Sequence, residues 1–317
     1  MQQASLADQL GFDSVLLVSL DDHLDPWIVG TSIAASTKNI RLLVAQNTNH
    51  VLPTLSVKAL NTLNLISGNR ADLNVVTGSS RRVLSKHAKA EDHGTRYRRT
   101  KEFVEVVRAL RHSPTSYHGE FFQISNMKMY PGEDIAGKAN LFISGSSDEA
   151  IRIAAELGDY YLQYAVDTNT LTRNINTLKR LAAENRREVR CGMLIDVIAR
   201  ETSEEAWETA RRIVANAPAV QKRLTRFFQN EADSQVNKAN KLLYQYKEQG
   251  YVVDRHIWGG FVEISTTSAL SIVGSYAEVI AAIQRYKELG IDYFLFSGYA
   301  NENEIERIGR HILPFVK

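Results

Sequence analysis

Short, continuously apolar runs alternate with segments of helical periodicity along this chain. That alternation limits its possible folds more than any other feature. The runs fall at residues 13–19, 40–45, 71–76, 140–143, 160–164, 189–199 and 291–296. A strand that is apolar at nearly every position must be covered on both faces, which calls for parallel pairing with crossover helices. Helices are expected over 1–10, 26–36, 53–66, 96–110, 147–157, 168–184, 203–216, 276–289 and 303–313. Gly11 closes the first as a C-cap, and Pro26 opens the second at its favoured first position behind Asp25. Residues 117–130 break the rhythm with a hairpin that turns at His118-Gly119. Seven strands are one short of a closed (β/α)8 barrel. The deficit falls at the start, where the chain opens inside a helix that ought to follow a strand. The expected class is therefore α/β, a (β/α)8 TIM barrel with its first strand missing. One domain would span 1–317, with insertions at about 112–139 and 217–271. An open doubly wound sheet is the rival topology.

Composition removes several function classes. The 317 residues are 44% hydrophobic, enough for one large core. Net charge is +2, with acids and bases interleaved, so no nucleic-acid footprint stands out. The densest basic spots, Arg81–Arg82 and Arg96–Lys101, read as solvated helix faces. A single cysteine, Cys191, excludes an intramolecular disulfide and a thiolate metal cluster, and its strand-like surroundings suggest a buried, inert side chain. No apolar run reaches the roughly 18 residues of a membrane span, and no signal-peptide pattern opens the chain. A soluble cytoplasmic protein is expected.

Two strand ends gather the polar residues. Ser67 to Tyr97 reads SGNRADLNVVTGSSRRVLSKHAKAEDHGTRY. After a turn at Gly68–Asn69 comes the strand 71–76, and a polar loop begins at Thr77–Gly78. This loop would carry Asn74, Thr77, His93, Arg96 and Tyr97 toward the strand's carboxyl end, where parallel α/β proteins bind ligands. Residues 141–150, LFISGSSDEA, repeat the logic with a buried strand, a small-residue turn and a helix N-terminus. Ser146, Ser147 and Asp148 offer cap side chains there, and the free amides suit a phosphate. A plain helix cap is the alternative.

The segments SGNRADLNVVTGS, EDHGTRY, LFISGSSDEA, DVIARETSEEAW and FLFSGY stand in one order over almost the whole chain. In sequence and spacing they resemble the bacterial luciferase-like flavin-dependent monooxygenases, most closely the alkanesulfonate monooxygenase branch. The resemblance implies a (β/α)8 barrel with an insertion segment. It implies reduced FMN as cofactor, supplied by a separate NAD(P)H flavin reductase in transient contact, and O2 as co-substrate. Enzymes of this kind form a flavin peroxide and oxygenate a small substrate, here an organosulfur compound. A homodimer or homotetramer is expected. Carried over position by position, Gly145, Ser146 and Ser147 would hold the FMN phosphate, helped by Tyr97 and His93. Asn74 and Thr77 would line the ring and ribityl chain, and Gln46 would bond to flavin or substrate. His23 stands where the resemblance places a cysteine; it would act as hydrogen-bond donor or acid–base, with a surface histidine as the alternative. Tyr299 matches the family's tyrosine. Tyr164 stands where the sulfonate enzymes carry tryptophan, on the substrate side.

The departures concern the substrate. An arginine and a histidine of the sulfonate enzymes align with Leu194 and Asp196, and a further arginine aligns with Ser265. An anionic sulfonate needs cationic donors; Arg255 or His256 would have to replace them. Asp196 would serve as a base if burial raised its pKa, or as a structural carboxylate. Residues 217–271, with Gly259–Gly260 and the Ser/Thr run 265–268, suit an active-site lid; a packed oligomer contact is the alternative. The competing functions are a deazaflavin-dependent oxidoreductase, a flavin-binding protein without oxygenase activity, and a scaffold that binds no cofactor.

Overall fold

The computed structural model describes residues 1–21, 23–78, 91–112, 114–231, 235–266, 270–297 and 302–317. Tyr299, Arg81–Arg82 and most of the loop after Thr77 lie outside the described residues. The chain divides into two compact units, one of residues 1–161 and 178–189, the other of residues 162–177 and 190–317.

In the first unit, α1 (Gln2–Gln9), β1 (Ser14–Leu17), α2 (Pro26–Ser36), β2 (Arg41–Asn47), α3 (Pro53–Ser67) and β3 (Ala71–Val76) follow the expected order within a few residues. Next come α4 (His93–Ala109), the hairpin β4 (Thr115–His118) and β5 (Gln123–Met127), α5 (Glu133–Ala136), β6 (Leu141–Ser144) and α6 (Asp148–Leu157). The strands β1, β2, β3 and β6 pair in parallel. One row across them reads Leu17, Val44, Leu73, Leu141, all buried. These inward rows form the core and stabilise by removal of apolar surface from water. The opposite, N-terminal end of the ladder is closed by polar bonds. Arg41 grips Asp72 through Nε and Nη2 at 2.6 and 2.7 Å, and the Asn140 amide donates to the same carboxylate. Buried Arg70 donates to the carbonyls of Ala34 in the last turn of α2, of Thr37 at its C-cap and of Ile40 beyond it. In the hairpin, the Glu102 carboxylate accepts the amides of Glu120, Phe121 and Phe122.

One boundary differs in a way that matters. His93, expected on the loop, lies on α4 with Arg96 and Tyr97, because the helix starts three residues before the predicted 96. Asp92 is the reason: its side chain accepts the Thr95 amide as an N-cap. The Arg96–Lys101 spot is also not uniformly solvated, because Arg96 is buried at 6% exposure while Arg98 faces water.

The strand β7 (Tyr160–Tyr164) and the helix α7 (Thr168–Glu184) divide their residues between the two units. The second unit is built on β8 (Arg190–Arg200), followed by α8 (Ser203–Asn216), α9 (Ala219–Glu231) and α10 (Gln235–Leu243). A hairpin of β9 (Val252–Asp254) and β10 (Ile257–Trp258) comes next, then β11 (Ser271–Ser275), α11 (Tyr276–Leu289), β12 (Tyr293–Ser297), α12 (Glu302–His311) and α13 (Leu313–Val316). Both β11 and β12 pair with β8 in parallel, β12 along Gly192–Asp196 and β11 along Asp196–Arg200.

This corrects the count of seven parallel strands, since β11 is an eighth. It starts at the last residue of the expected 217–271 insertion and fills the gap before the expected helix at 276; SIVGS holds two serines and a glycine, so the continuous apolar signature is broken. Ser275 ends the strand and also caps α11 in a reciprocal box with Glu278. A buried ion pair, Arg200 Nη2 to Glu304 at 2.9 Å, fastens α12 to the end of β8. No described helix is long and apolar enough to cross a membrane.

Candidate functional site

The expected convergence of two strand ends is present in the first unit. Val76 of β3 and Ser144 of β6 are register partners, so the turns that follow both strands leave from one edge. After β6 the chain runs Gly145, Ser146, Ser147 into α6. Ser147 is the N-cap, its Oγ accepting the Ala150 amide at 3.3 Å. Tyr161 Oη donates to the Gly145 carbonyl at 2.8 Å and pins the turn from behind. A Cβ at Gly145 would stand 2.6 Å from the Ala150 methyl and 3.2 Å from Tyr97 Oη, so glycine is needed for the close approach.

Tyr97 reaches this turn from α4. Burial pushes its phenol above its ordinary value, and the nearby hydroxyls of Ser147 and Thr77 oppose that shift. Thr77, just past β3, is buried and accepts from Thr100 Oγ1 at 3.2 Å. Asn74, two residues before the end of β3, accepts the Ser144 hydroxyl at 2.6 Å. His93, at the start of α4, is exposed, its ring 4.7 Å from that of Tyr97. Gln46 is buried on β2 and its Oε1 already accepts Trp27 Nε1 at 2.9 Å.

Two donors in this region have no partner among the described residues. Ser146 Oγ is buried without a hydrogen-bond partner, and so is Arg96 Nε. Among the described residues, Arg96 Nη1 donates to the Glu91 carbonyl at 3.0 Å, and the guanidinium lies close enough to Tyr97 to favour its phenolate. A buried cation and a buried hydroxyl left open beside a helix N-terminus form a set of donors matched to an anion. The residues fit a phosphate-bearing group, with the orphaned Ser146 Oγ as the decisive atom. From the sequence, Arg96 reads both as a residue carried toward the strand end and as part of a solvated face, and it is not among the residues assigned to the cofactor. Its spacing from Thr100, Phe103 and Val107 (i, i+4, i+7, i+11), all three buried, is the signal that places it inward.

The remaining candidates lie elsewhere. His23 is exposed on the loop between β1 and α2. In the second unit, Asp196 is 1% exposed on β8, with Ser271 of β11 and Ser297 of β12 as register partners. Leu194, two residues earlier, is half-buried, and Ser265 is buried with its carbonyl accepting Gln229 Nε2 at 3.0 Å. Of the two substitute cations, Arg255 is exposed, while His256 is buried with Nδ1 unpaired. Tyr164 ends β7, and desolvation raises its phenol. Cys191 is buried, as expected, with Gln163 Nε2 at 3.7 Å from its sulfur.

The family described as luciferase-like monooxygenase matches residues 1–293. Among solved structures, the chain is similar to EDTA monooxygenase from Chelativorans sp. BNC1, with a TM-score of 0.82 and 16% identity over 99% of this chain and 85% of that one. It is also similar to the oxygenating constituent of 3,6-diketocamphane monooxygenase from Pseudomonas putida, solved with FMN: TM-score 0.73, 17% identity, covering 99% and 91%. The coenzyme F420 dependent tetrahydromethanopterin reductase from Methanopyrus kandleri gives 0.74 and 18%, covering 100% and 94%. At these identities the likeness is one of fold.

Proposed function

The chain belongs to the luciferase-like monooxygenase family and is an enzyme of the flavin-dependent monooxygenase and oxidoreductase class; from that premise we propose that it is a two-component monooxygenase that takes reduced FMN from a separate NAD(P)H flavin reductase. The buried, unpartnered Ser146 Oγ at the N-terminus of α6 carries the reading. Ser146, Ser147 and the α6 amides would hold the phosphate, with the charge of Arg96 opposing it. Tyr97 and Thr77 would donate alongside, and Asn74 and Gln46 would face the ring, with His93 at the rim. Reduced FMN supplies the electrons that activate dioxygen. The chain's own residues bind and orient it and keep the phosphate end away from water.

The substrate is a small organosulfur compound, neutral or cationic, oxygenated in the cytoplasm. Leu194 and Ser265 offer no charge where a sulfonate would need one, and buried Asp196 stands between register-paired serines. His23, Asp196 and Tyr299 are the candidates for acid–base work, and Tyr164, Arg255 and His256 for substrate contact. The test is oxygen uptake with chemically reduced FMN, with and without sulfonates, sulfones and thioethers, reading sulfite and oxygenated products. Substrate-dependent uptake with an oxygenated product supports the assignment. Substrate oxidation with a deazaflavin and no oxygen uptake would move the protein to the oxidoreductases.

Assembly as a homodimer is part of the proposal. On the adjacent helices α2 and α3, Ile28, Leu55 and Ile66 are exposed around a groove of about 330 Å³ that Trp27 and Leu63 also line. A second copy packing α2 and α3 against their equivalents would cover this apolar face.

A further inference from the structure

Thr100 is in none of the ligand sets above, yet it is the centre of a buried chain of hydroxyls. Its Oγ1 lies 2.7 Å from Thr48 Oγ1 and donates to Thr77 Oγ1 at 3.2 Å. Thr48 and Thr100 are almost completely buried. Beyond Thr77 stands the Tyr97 phenol, near enough to the Thr77 and Ser147 hydroxyls for both to favour its ionised form. Three hydroxyls therefore connect the residue after β2 to the residue after β3, and the Tyr97 phenol lies beside the last of them. A hydroxyl carries a single proton. With the Thr100 proton committed to Thr77, Thr48 must donate to Thr100, and the chain acquires one direction. The Thr77 proton is thereby left for Tyr97 or for a ligand.

We propose that Thr100 is a positioning residue for the flavin site. By donating to Thr77 it fixes which way the Thr77 hydroxyl points and, through it, the phenol of Tyr97. Discrimination in favour of the phosphorylated flavin then depends on a hydroxyl that is not itself a ligand. This inference rests on the phosphate reading of the Gly145–Ser147 turn. Thr100→Val keeps the shape of the side chain but leaves the buried Thr48 and Thr77 hydroxyls short of a partner. Thr100→Ser keeps the hydroxyl.

The experiment measures FMN and riboflavin dissociation constants by flavin fluorescence for the unmodified protein, Thr100→Val, Thr100→Ser and Thr48→Val, with thermal unfolding of each. The unmodified protein should prefer FMN. Thr100→Val should shrink that preference by about tenfold, the scale of one lost hydrogen bond. Thr100→Ser should retain it, and Thr48→Val, which spares the Thr100–Thr77 bond, should lose less. A lower melting temperature with an unchanged FMN-to-riboflavin ratio would assign Thr100 to the fold alone and overturn the proposal. So would an equal loss in Thr100→Ser. If Thr100→Val gives no soluble protein, Thr100→Ala, which also removes the donor to Thr77, is read in its place, and an unchanged ratio there overturns the proposal. Absence of any FMN preference in the unmodified protein defeats the phosphate reading itself, and is seen before a variant is made.

Discussion

Ser147 holds two roles at one position, capping α6 and facing the proposed phosphate. Aspartate is as good an N-cap as serine, so Ser147→Asp should leave the helix intact. A carboxylate beside a phosphate dianion in a poorly hydrated turn should nevertheless cost at least about 1–3 kcal/mol of binding. The expected outcome is loss of FMN binding with an unchanged circular dichroism spectrum; retained affinity would remove the assignment. Tyr97 gives a pH prediction. Its phenol is raised by burial, so it stays protonated across the neutral range and into mild alkali. The stabilising contribution of the neutral phenol is fully present below the ordinary tyrosine value of about 10 and is lost only as pH rises through the higher folded value. FMN affinity should therefore show no Tyr97-dependent fall between about pH 7 and 9. A titration in which that interval brings a fall absent from Tyr97→Phe would contradict it.

At the scale of elements, α2 and α3 carry exposed apolar side chains on their outward face. Ile28 is 73% exposed and Leu55 55%. Burying such a side chain fully is worth roughly 1.5–3 kcal/mol, and in a two-fold interface each counts twice. Ile28→Asp combined with Leu55→Lys should convert the dimer to a monomer at micromolar concentration, as sedimentation equilibrium would show. The site of Ser147 is on other elements, so FMN affinity should persist in that variant. A monomeric unmodified protein would end the dimer proposal.

At the scale of the whole molecule the question is which substrate the enzyme turns over. On the resemblance to the sulfonate enzymes, Leu194 and Ser265 would stand where those carry arginines, and charge-assisted hydrogen bonds are worth about 1.5–3 kcal/mol each. Loss of two should weaken an alkanesulfonate by a hundredfold or more, roughly. An ionised Asp196 would add repulsion. Simple alkanesulfonates are therefore expected to be poor substrates, and Leu194→Arg with Ser265→Arg should raise their turnover. Steady sulfite release from ordinary alkanesulfonates at micromolar KM by the unmodified protein would refute this. Buried His256, whose Nδ1 is unpaired, would then be the anion clamp to test, ahead of exposed Arg255.

The order and kind of most elements, the Asp25 and Ser147 caps and the two polar strand ends were written locally in the sequence. Each depends on periodicity or on a cap within a few residues, so a short window contains the whole signal. Tertiary structure alone decided the rest. SIVGS became a strand because β8 offered it a parallel edge at Asp196–Arg200, a partner some seventy residues away in sequence. Arg96 turned inward because its face of α4 packs on the sheet. The hydroxyl chain joins Thr48, Thr77 and Thr100, pairs separated by 52 and 23 residues. Such meetings follow from the register of parallel strands, which pairs residues distant in sequence and leaves no trace in the neighbours of any one of them.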